Sequence, residues 1–209
     1  MSYLRIVRII SLVSFLAFAG LLTARVAWNA TVIPASTSLP VPLTPLPDFQ
    51  ATAATTDAVT PMKKSDLRGH VWVADFFFAT CGNICPAMTR QMHRLQSRLP
   101  KEVWLVSFTV DPETDTPADL QGYARDNSAD PGRWFFLRME KQPLAKLMYF
   151  GFKSLASYQE PFDNHVILSH NSRFFLVDAQ GRIRGSYEGL EKDSIEEVTQ
   201  AVSALLKER

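Results

Sequence analysis

The sequence predicts an α/β domain with a central mixed sheet flanked by helices, and three observations predict it. Two nearly continuous apolar runs, His70 to Phe78 and Glu102 to Val110, read as strands buried on both faces. Each is followed by a segment with helical apolar spacing. The chain then closes with two strands around a glycine turn and one terminal helix, which adds antiparallel members to the sheet.

Met1 to Trp28 reads as an export segment. Arg5 and Arg8 precede an uncharged apolar run from Ile9 to Ala24, and Arg25 ends it. At about 1.5 Å per residue the run covers about 24 Å, against a hydrocarbon core of roughly 30 Å. Snorkelling arginines and Val26-Ala27-Trp28 make up the difference. Residues 1–30 are therefore expected to form a transmembrane signal anchor. A cleaved signal peptide ending near Ala27 and Ala30 is the competing reading. The basic flank places the rest of the chain beyond the inner or plasma membrane, a single-pass protein with its domain facing the periplasm or extracytoplasmic space. Residues 31–45, with Pro34, Pro40, Pro42 and Pro45, read as an extended Pro-rich linker, and residues 46–209 as the domain.

Within the domain, Leu46-Pro47-Asp48-Phe49 comes first, and the Ala- and Thr-rich stretch after it shows no readable period. Ser65 to Gly69 reads as one helical turn with a glycine stop. After the first long strand, Pro86 suits a first helical turn, and Met88, Met92, Leu95 and Leu99 fall on one stripe. The second long strand ends in Asp111-Pro112, and Thr116-Pro117 is an N-cap and first-turn pair opening a helix to about Asp126. Trp134 to Leu137 is a short strand and Pro143 to about Phe152 a helix. Ser154 to Leu168 has no period and reads as a long surface loop. Arg173 to Asp178 and Arg182 to Tyr187 form a hairpin around Ala179-Gln180-Gly181. Asp193 to Leu206 is the last helix, with Ile195, Val198, Val202, Leu205 and Leu206 on its apolar face. This succession is that of a thioredoxin-like fold, in which the end of the first central strand and the next helix N-terminus make a reactive corner.

Composition narrows the functional classes. The 209 residues carry a formal net charge of +1, and Arg5, Arg8 and Arg25 lie in an N-terminal segment without acids. The domain is thus close to neutral and offers no electrostatic ground for nucleic-acid binding. It is long enough for a full hydrophobic core.

Chemistry concentrates at the corner, in Phe76-Phe77-Phe78-Ala79-Thr80-Cys81-Gly82-Asn83-Ile84-Cys85-Pro86, which holds both cysteines of the chain. Partial positive charge at a helix N-terminus favours thiolate. Three uses are open. A disulfide staple suits an oxidising compartment, but so small a loop contributes only about 2 kcal/mol. Thiol–disulfide exchange is the second, although three residues separate these cysteines where Cys-x-x-Cys has two. The third is a soft metal, Cu(I) with Zn(II) as competitor, which needs a further ligand. His70 starts a strand at the far end and His93 lies mid-helix. Spacing does not choose between His165 and His170, which lie on or just after the long loop. Met88 and Met92 read as core.

Three ordered motifs go further. The Cys81-x-x-x-Cys85-Pro86 motif, the run Val106-Ser107-Phe108-Thr109-Val110-Asp111-Pro112-Glu113-x-Asp115-Thr116-Pro117, and His170-Asn171-Ser172-Arg173-Phe174-Phe175-Leu176-Val177-Asp178 resemble the signatures of the Sco (SenC-like) copper-binding family of cytochrome c oxidase assembly proteins. The similarity runs from about Leu46 to the C-terminus. It implies copper, as Cu(I) and also Cu(II), held by Cys81, Cys85 and His170, with Asp111 as a carboxylate behind the imidazole. It also implies a membrane-anchored copper chaperone whose partners are the copper-bearing subunit of cytochrome c oxidase, another copper carrier and the membrane. The alternative is a thiol–disulfide oxidoreductase, with Cys81 and Cys85 as the redox-active pair, that reduces the cysteines of the target copper site. The chain departs from the family pattern at Gly82, Asn83 and Ser169, where proline and two acids are usual.

Overall fold

The strand Trp72–Phe77 is the axis around which the domain is built, and its side chains sort the core into two layers. Val73 and Phe77 face one side, while Trp72, Ala74 and Phe76 face the other. Every residue of the strand is buried, Asp75 included, as its nearly continuous apolar run leads one to expect. The structure, a computed structural model, describes residues 45–82, 84–153 and 172–208, all within one compact unit, Ser38–Arg209.

In chain order the described elements are β1 (Gln50–Ala54), β2 (Val59–Lys63), a 3-10 turn (Lys64–Leu67), β3 (Trp72–Phe77), α1 (Cys85–Arg98), β4 (Trp104–Thr109), α2 (Pro117–Asp126), β5 (Trp134–Arg138), α3 (Lys141–Lys146), a π-helical segment (Leu147–Phe152), β6 (Arg173–Val177), β7 (Ile183–Glu188) and α4 (Ser194–Lys207). The strands form one sheet in the order β2-β1-β5-β4-β3-β6-β7. β3 pairs in parallel with β4, and β4 with β5; the remaining pairs are antiparallel. This is the expected α/β arrangement, a mixed central sheet with flanking helices and a thioredoxin-like core. The residues assigned to the anchor and all but the end of the linker lie outside those described. Among the described residues no helix is long and apolar enough to cross a membrane.

Helices α1, α2 and α4 cover one face, burying Met88, Met92, Leu95, Leu120, Val198 and Val202 against the sheet. The other face is covered by Leu46, Phe49, Leu67, Leu144, Leu147 and Phe152. There Phe76 stacks on Phe108 at 5.6 Å and meets Phe152 edge-on at 5.2 Å, aromatic contacts that favour a fixed packing. Lys64, itself buried, donates to the Leu46 carbonyl and pairs with Asp48 at 2.8 Å, fastening the start of the domain.

Two expectations need correction. The stretch after Phe49, unassigned in the sequence, is the β1–β2 hairpin. Its alanines lack the branched side chains that mark strands, and Pro61 sits in β2, the edge strand where a missing N–H costs no ladder bond. The helix expected from Pro143 to Phe152 begins at Lys141 and changes to π-helical winding at Leu147, ending on Lys153 in the left-handed region at φ 50°. The loop expected from Ser154 to Leu168 lies outside the described residues; elsewhere among the described residues the reading holds. Thr116 caps α2 through a capping box with Asp119, and Gly181, at φ 78°, closes the β6–β7 turn with its N–H on the Asp178 carbonyl at 2.9 Å.

Candidate metal centre

The centre lies where the C-terminal ends of β3 and β4 open toward the first turn of α1. After Phe77 the chain makes a tight turn, with the Phe78 carbonyl accepting the Cys81 N–H at 3.2 Å. Helix α1 starts at Cys85, with Pro86 in its first turn. The Cys85 N–H points at Cys81 Sγ over 3.4 Å, so the four-residue spacing brings one sulfur onto the backbone that carries the other. Both cysteines are thiols, not joined in a disulfide. Cys81 is half-buried, whereas Cys85 is only 1% exposed, tucked among Met88, Phe77 and the α1 face of the sheet.

The expectation that the helix mouth favours thiolate fails at Cys85. Removal from water, first, and the neighbouring Cys81 sulfur push the Cys85 thiol up to about 12. Desolvation outweighs the helix dipole, so the metal-free protein keeps this proton. A coordinating cation reverses that balance by supplying the missing positive charge.

Asp75, on the same face of β3, was not singled out by the sequence. Its side chain is buried, Ser107 donates to it, and Ser107 in turn receives the Trp134 indole N–H at 3.0 Å. Its Oδ1 has no hydrogen-bond partner among the described residues. Burial pushes its pKa from 3.8 up to about 7. The unfolded chain ionises near pH 3.8 while the folded protein resists until about 7. Stability from this group is therefore full in acid and lost as pH rises between those values. Asp75→Asn is expected to remove that slope in urea unfolding measured from pH 4 to 8; an unchanged slope would contradict the assignment.

A second carboxylate touches the cysteine turn itself. Asp115, 1% exposed, accepts from the Ala79 N–H at 3.0 and 3.3 Å and from the Thr109 hydroxyl. Burial raises its pKa, and the nearby Asp111 and Asp119 add to the rise. Asp111, the carboxylate the sequence favoured, is half-buried at the end of β4; its N–H donates to Thr109 Oγ1 at 3.1 Å and its carbonyl accepts the Asp115 N–H at 2.9 Å.

Of the candidate histidines, His70 lies before β3 at the far end of the sheet, stacked on Trp104 at 3.6 Å, and His93 is exposed on α1. Met88 and Met92 are fully buried in the core. His165 and His170 lie outside the described residues. Among the described residues no group of three His, Cys, Asp or Glu side chains is placed to hold a metal ion. The described chain resumes at Ser172, whose carbonyl accepts the Gly189 N–H at 2.6 Å. Gly189 is packed so tightly on Met88 that an added Cβ would stand 2.6 Å from its Cε. Residue 172 is thereby rooted beside the helix turn that follows Cys85.

A sheet of this kind, presenting one half-exposed and one buried thiol at a helix mouth, defines a dithiol domain suited to soft-metal binding or sulfur exchange. The SCO1/SenC family model matches residues 46–207, and the chain belongs to that family. The chain is 33% identical to the SCO1 protein homolog of Bacillus subtilis over 141 residues, 66% of this chain and 72% of the other. It is 29% identical over 129 residues, 60% of this chain and 61% of the other, to a protein of Stutzerimonas stutzeri named for copper binding. Among solved structures, a SCO1/SenC family lipoprotein from Bacillus anthracis superposes with TM-score 0.67 at 31% identity, over 81% of this chain and 99% of the other. BsSco, a member of the Sco family of cytochrome c oxidase assembly proteins in which a disulfide switch is described, gives 0.64 at 29%, over 81% and 98%.

Proposed function

We propose that this chain is a membrane-anchored copper chaperone that binds copper through Cys81, Cys85 and His170 and assists assembly of the dinuclear copper centre of cytochrome c oxidase. The observation that carries the reading is the meeting of two sulfurs at one helix mouth, with the Cys85 N–H on Cys81 Sγ, in a chain of the SCO1/SenC family. The name of the S. stutzeri relative supports copper, and that of BsSco supports oxidase assembly. Two thiolates and a neutral imidazole form a soft, three-coordinate set that favours Cu(I) over hard cations. His170 stands two residues before Ser172, whose carbonyl takes the Gly189 N–H where Gly189 packs on Met88 of the first turn of α1. Asp111 then holds the second ring nitrogen of the imidazole and fixes its tautomer. Half-exposed Cys81 is the ligand at which a partner begins to take the ion, while buried Cys85 lets go last. The anchor of residues 1–30, the linker 31–45 and the domain 46–209 place this exchange beyond the membrane, and the B. anthracis relative is itself a lipoprotein.

The asymmetry of the thiols favours one second reading, reduction of the target's cysteines. The Cys81 thiolate attacks a sulfur of the target disulfide and displaces one target thiolate, which takes a proton. Cys85, giving up its proton, then attacks Cys81 and releases the second target sulfur. Two electrons pass to the target and a Cys81–Cys85 disulfide remains. The same sulfurs cannot serve both roles at once. Cu(I) titrated into the fully oxidised protein is therefore expected to find no tight site, whereas the reduced protein binds one ion. Equal affinity in the two states would sink the chaperone reading.

A further inference from the structure

We propose that Asp115 is the positioning residue of the centre, holding the cysteine turn at the geometry that lets Cys81 and Cys85 share one copper ion; this rests on the copper reading above. The turn from Phe78 to Cys81 is closed by the Cys81 N–H on the Phe78 carbonyl, and the Ala79 N–H, pointing out of it, is taken by the Asp115 carboxylate. The same carboxylate receives the Thr109 hydroxyl at the end of β4, where Thr109 pairs with Phe77. Asp115 immediately precedes Thr116, the N-cap of α2, and its own N–H is bonded to Asp111. One buried side chain thus joins the β4 terminus, the α2 start and the turn carrying Cys81. Cys85 is carried by the first turn of α1 and meets the same turn through its N–H on Cys81 Sγ and its sulfur on the Phe78 backbone. The distance between the two sulfurs depends on how the turn is held, and Asp115 is a buried side chain that holds it through the Ala79 N–H. It touches neither sulfur in a hydrogen bond and acts through the Ala79 peptide.

The test measures Cu(I) affinity of the whole reduced protein, by competition with a chromophoric chelator, for the unchanged chain and for Asp115→Ala, Asp115→Asn, Thr109→Val and Lys64→Met. Removing outer partners of a metal site typically weakens binding about tenfold to hundredfold, and Asp115→Ala is expected in that range. Asp115→Asn keeps an acceptor for the Ala79 N–H and a group that can pair with the Thr109 hydroxyl, so it is expected to restore most of the affinity. Thr109→Val falls between. Lys64→Met loosens the start of the domain on the other face and is expected to lower the melting temperature without moving the affinity. The Cys81–Cys85 potential, read by equilibration in which one glutathione disulfide becomes two glutathione thiols as the pair oxidises, is expected to shift with Asp115→Ala and not with Lys64→Met.

Asp115→Ala binding copper as the unchanged chain does, Asp115→Asn being as weak as Asp115→Ala, or Lys64→Met weakening copper equally would each overturn the proposal. If Asp115→Ala does not fold, the Asn and Val variants decide. Failure of the unchanged chain to bind copper sinks the copper reading instead, and the potential alone then judges Asp115.

Discussion

His170→Ala is expected to weaken Cu(I) binding by more than about hundredfold, the upper end of what loss of an outer partner costs, because here a ligand itself is lost. The remaining pair of sulfurs holds the ion on one side, with Cys85 buried behind it and Cys81 half-buried at the mouth. Affinity is measured by chelator competition on the reduced protein, with thiol exchange toward a disulfide peptide measured in parallel. A copper carrier loses the first and keeps most of the second. Should copper binding survive His170→Ala and disappear in His165→Ala, the imidazole belongs to His165 and the ligand set must be redrawn.

Arg133→Ala is expected to destabilise the domain by about 3–5 kcal/mol, the range for removing one partner from a buried charged arrangement. The guanidinium, buried beside β5, donates to the carbonyls of Gln96, Leu99 and Pro100, the C-terminal end of the cysteine helix, at 3.3 Å for Leu99 and 3.0 Å for Pro100. Asp130 adds a charge contact at 3.4 Å. Helix ends leave carbonyls without internal partners, and each one buried unpaired costs about 1–3 kcal/mol. In a domain of this size the loss corresponds to about 10 °C in melting temperature. Arg133→Lys cannot reproduce the fork and is expected to recover only part of it. The readout is a thermal melt followed by far-UV dichroism. A variant melting with the unchanged protein would mean that another group caps α1.

What was legible in the sequence follows from which interactions are local. The buried run of β3, the Thr116-Pro117 start of α2 and the glycine turn before β7 announce themselves through neighbours a few residues apart. The cysteine corner was legible for the same reason. The β1–β2 hairpin was not, because Ala51, Ala53 and Ala54 are strand residues by virtue of pairing with β2 and β5 rather than by their own preference. Arg133 reaches back to Gln96, Leu99 and Pro100 across the fold, and nothing around it in the chain hints at the target.

At the site, the sequence favoured Asp111 among the acids of its motif, while the carboxylate bonded to the cysteine turn is Asp115, four residues on. The signal was its place directly before the N-cap, where a buried acid can serve strand, helix and turn together. The charge state of Cys85 was misread because the helix dipole is visible in the sequence, whereas burial of the sulfur is a property of the assembled core. Asp75 is the same case, a lone acid in an apolar run whose surroundings only the sheet reveals.

The most direct measurement is copper K-edge X-ray absorption on the reduced, copper-loaded full-length protein and on its His170→Ala variant. Two sulfur neighbours and one nitrogen around a three-coordinate Cu(I), with the nitrogen lost in the variant, is the predicted result. A shell unchanged by the substitution, or one containing a single sulfur, would contradict the claim that Cys81, Cys85 and His170 close around one ion.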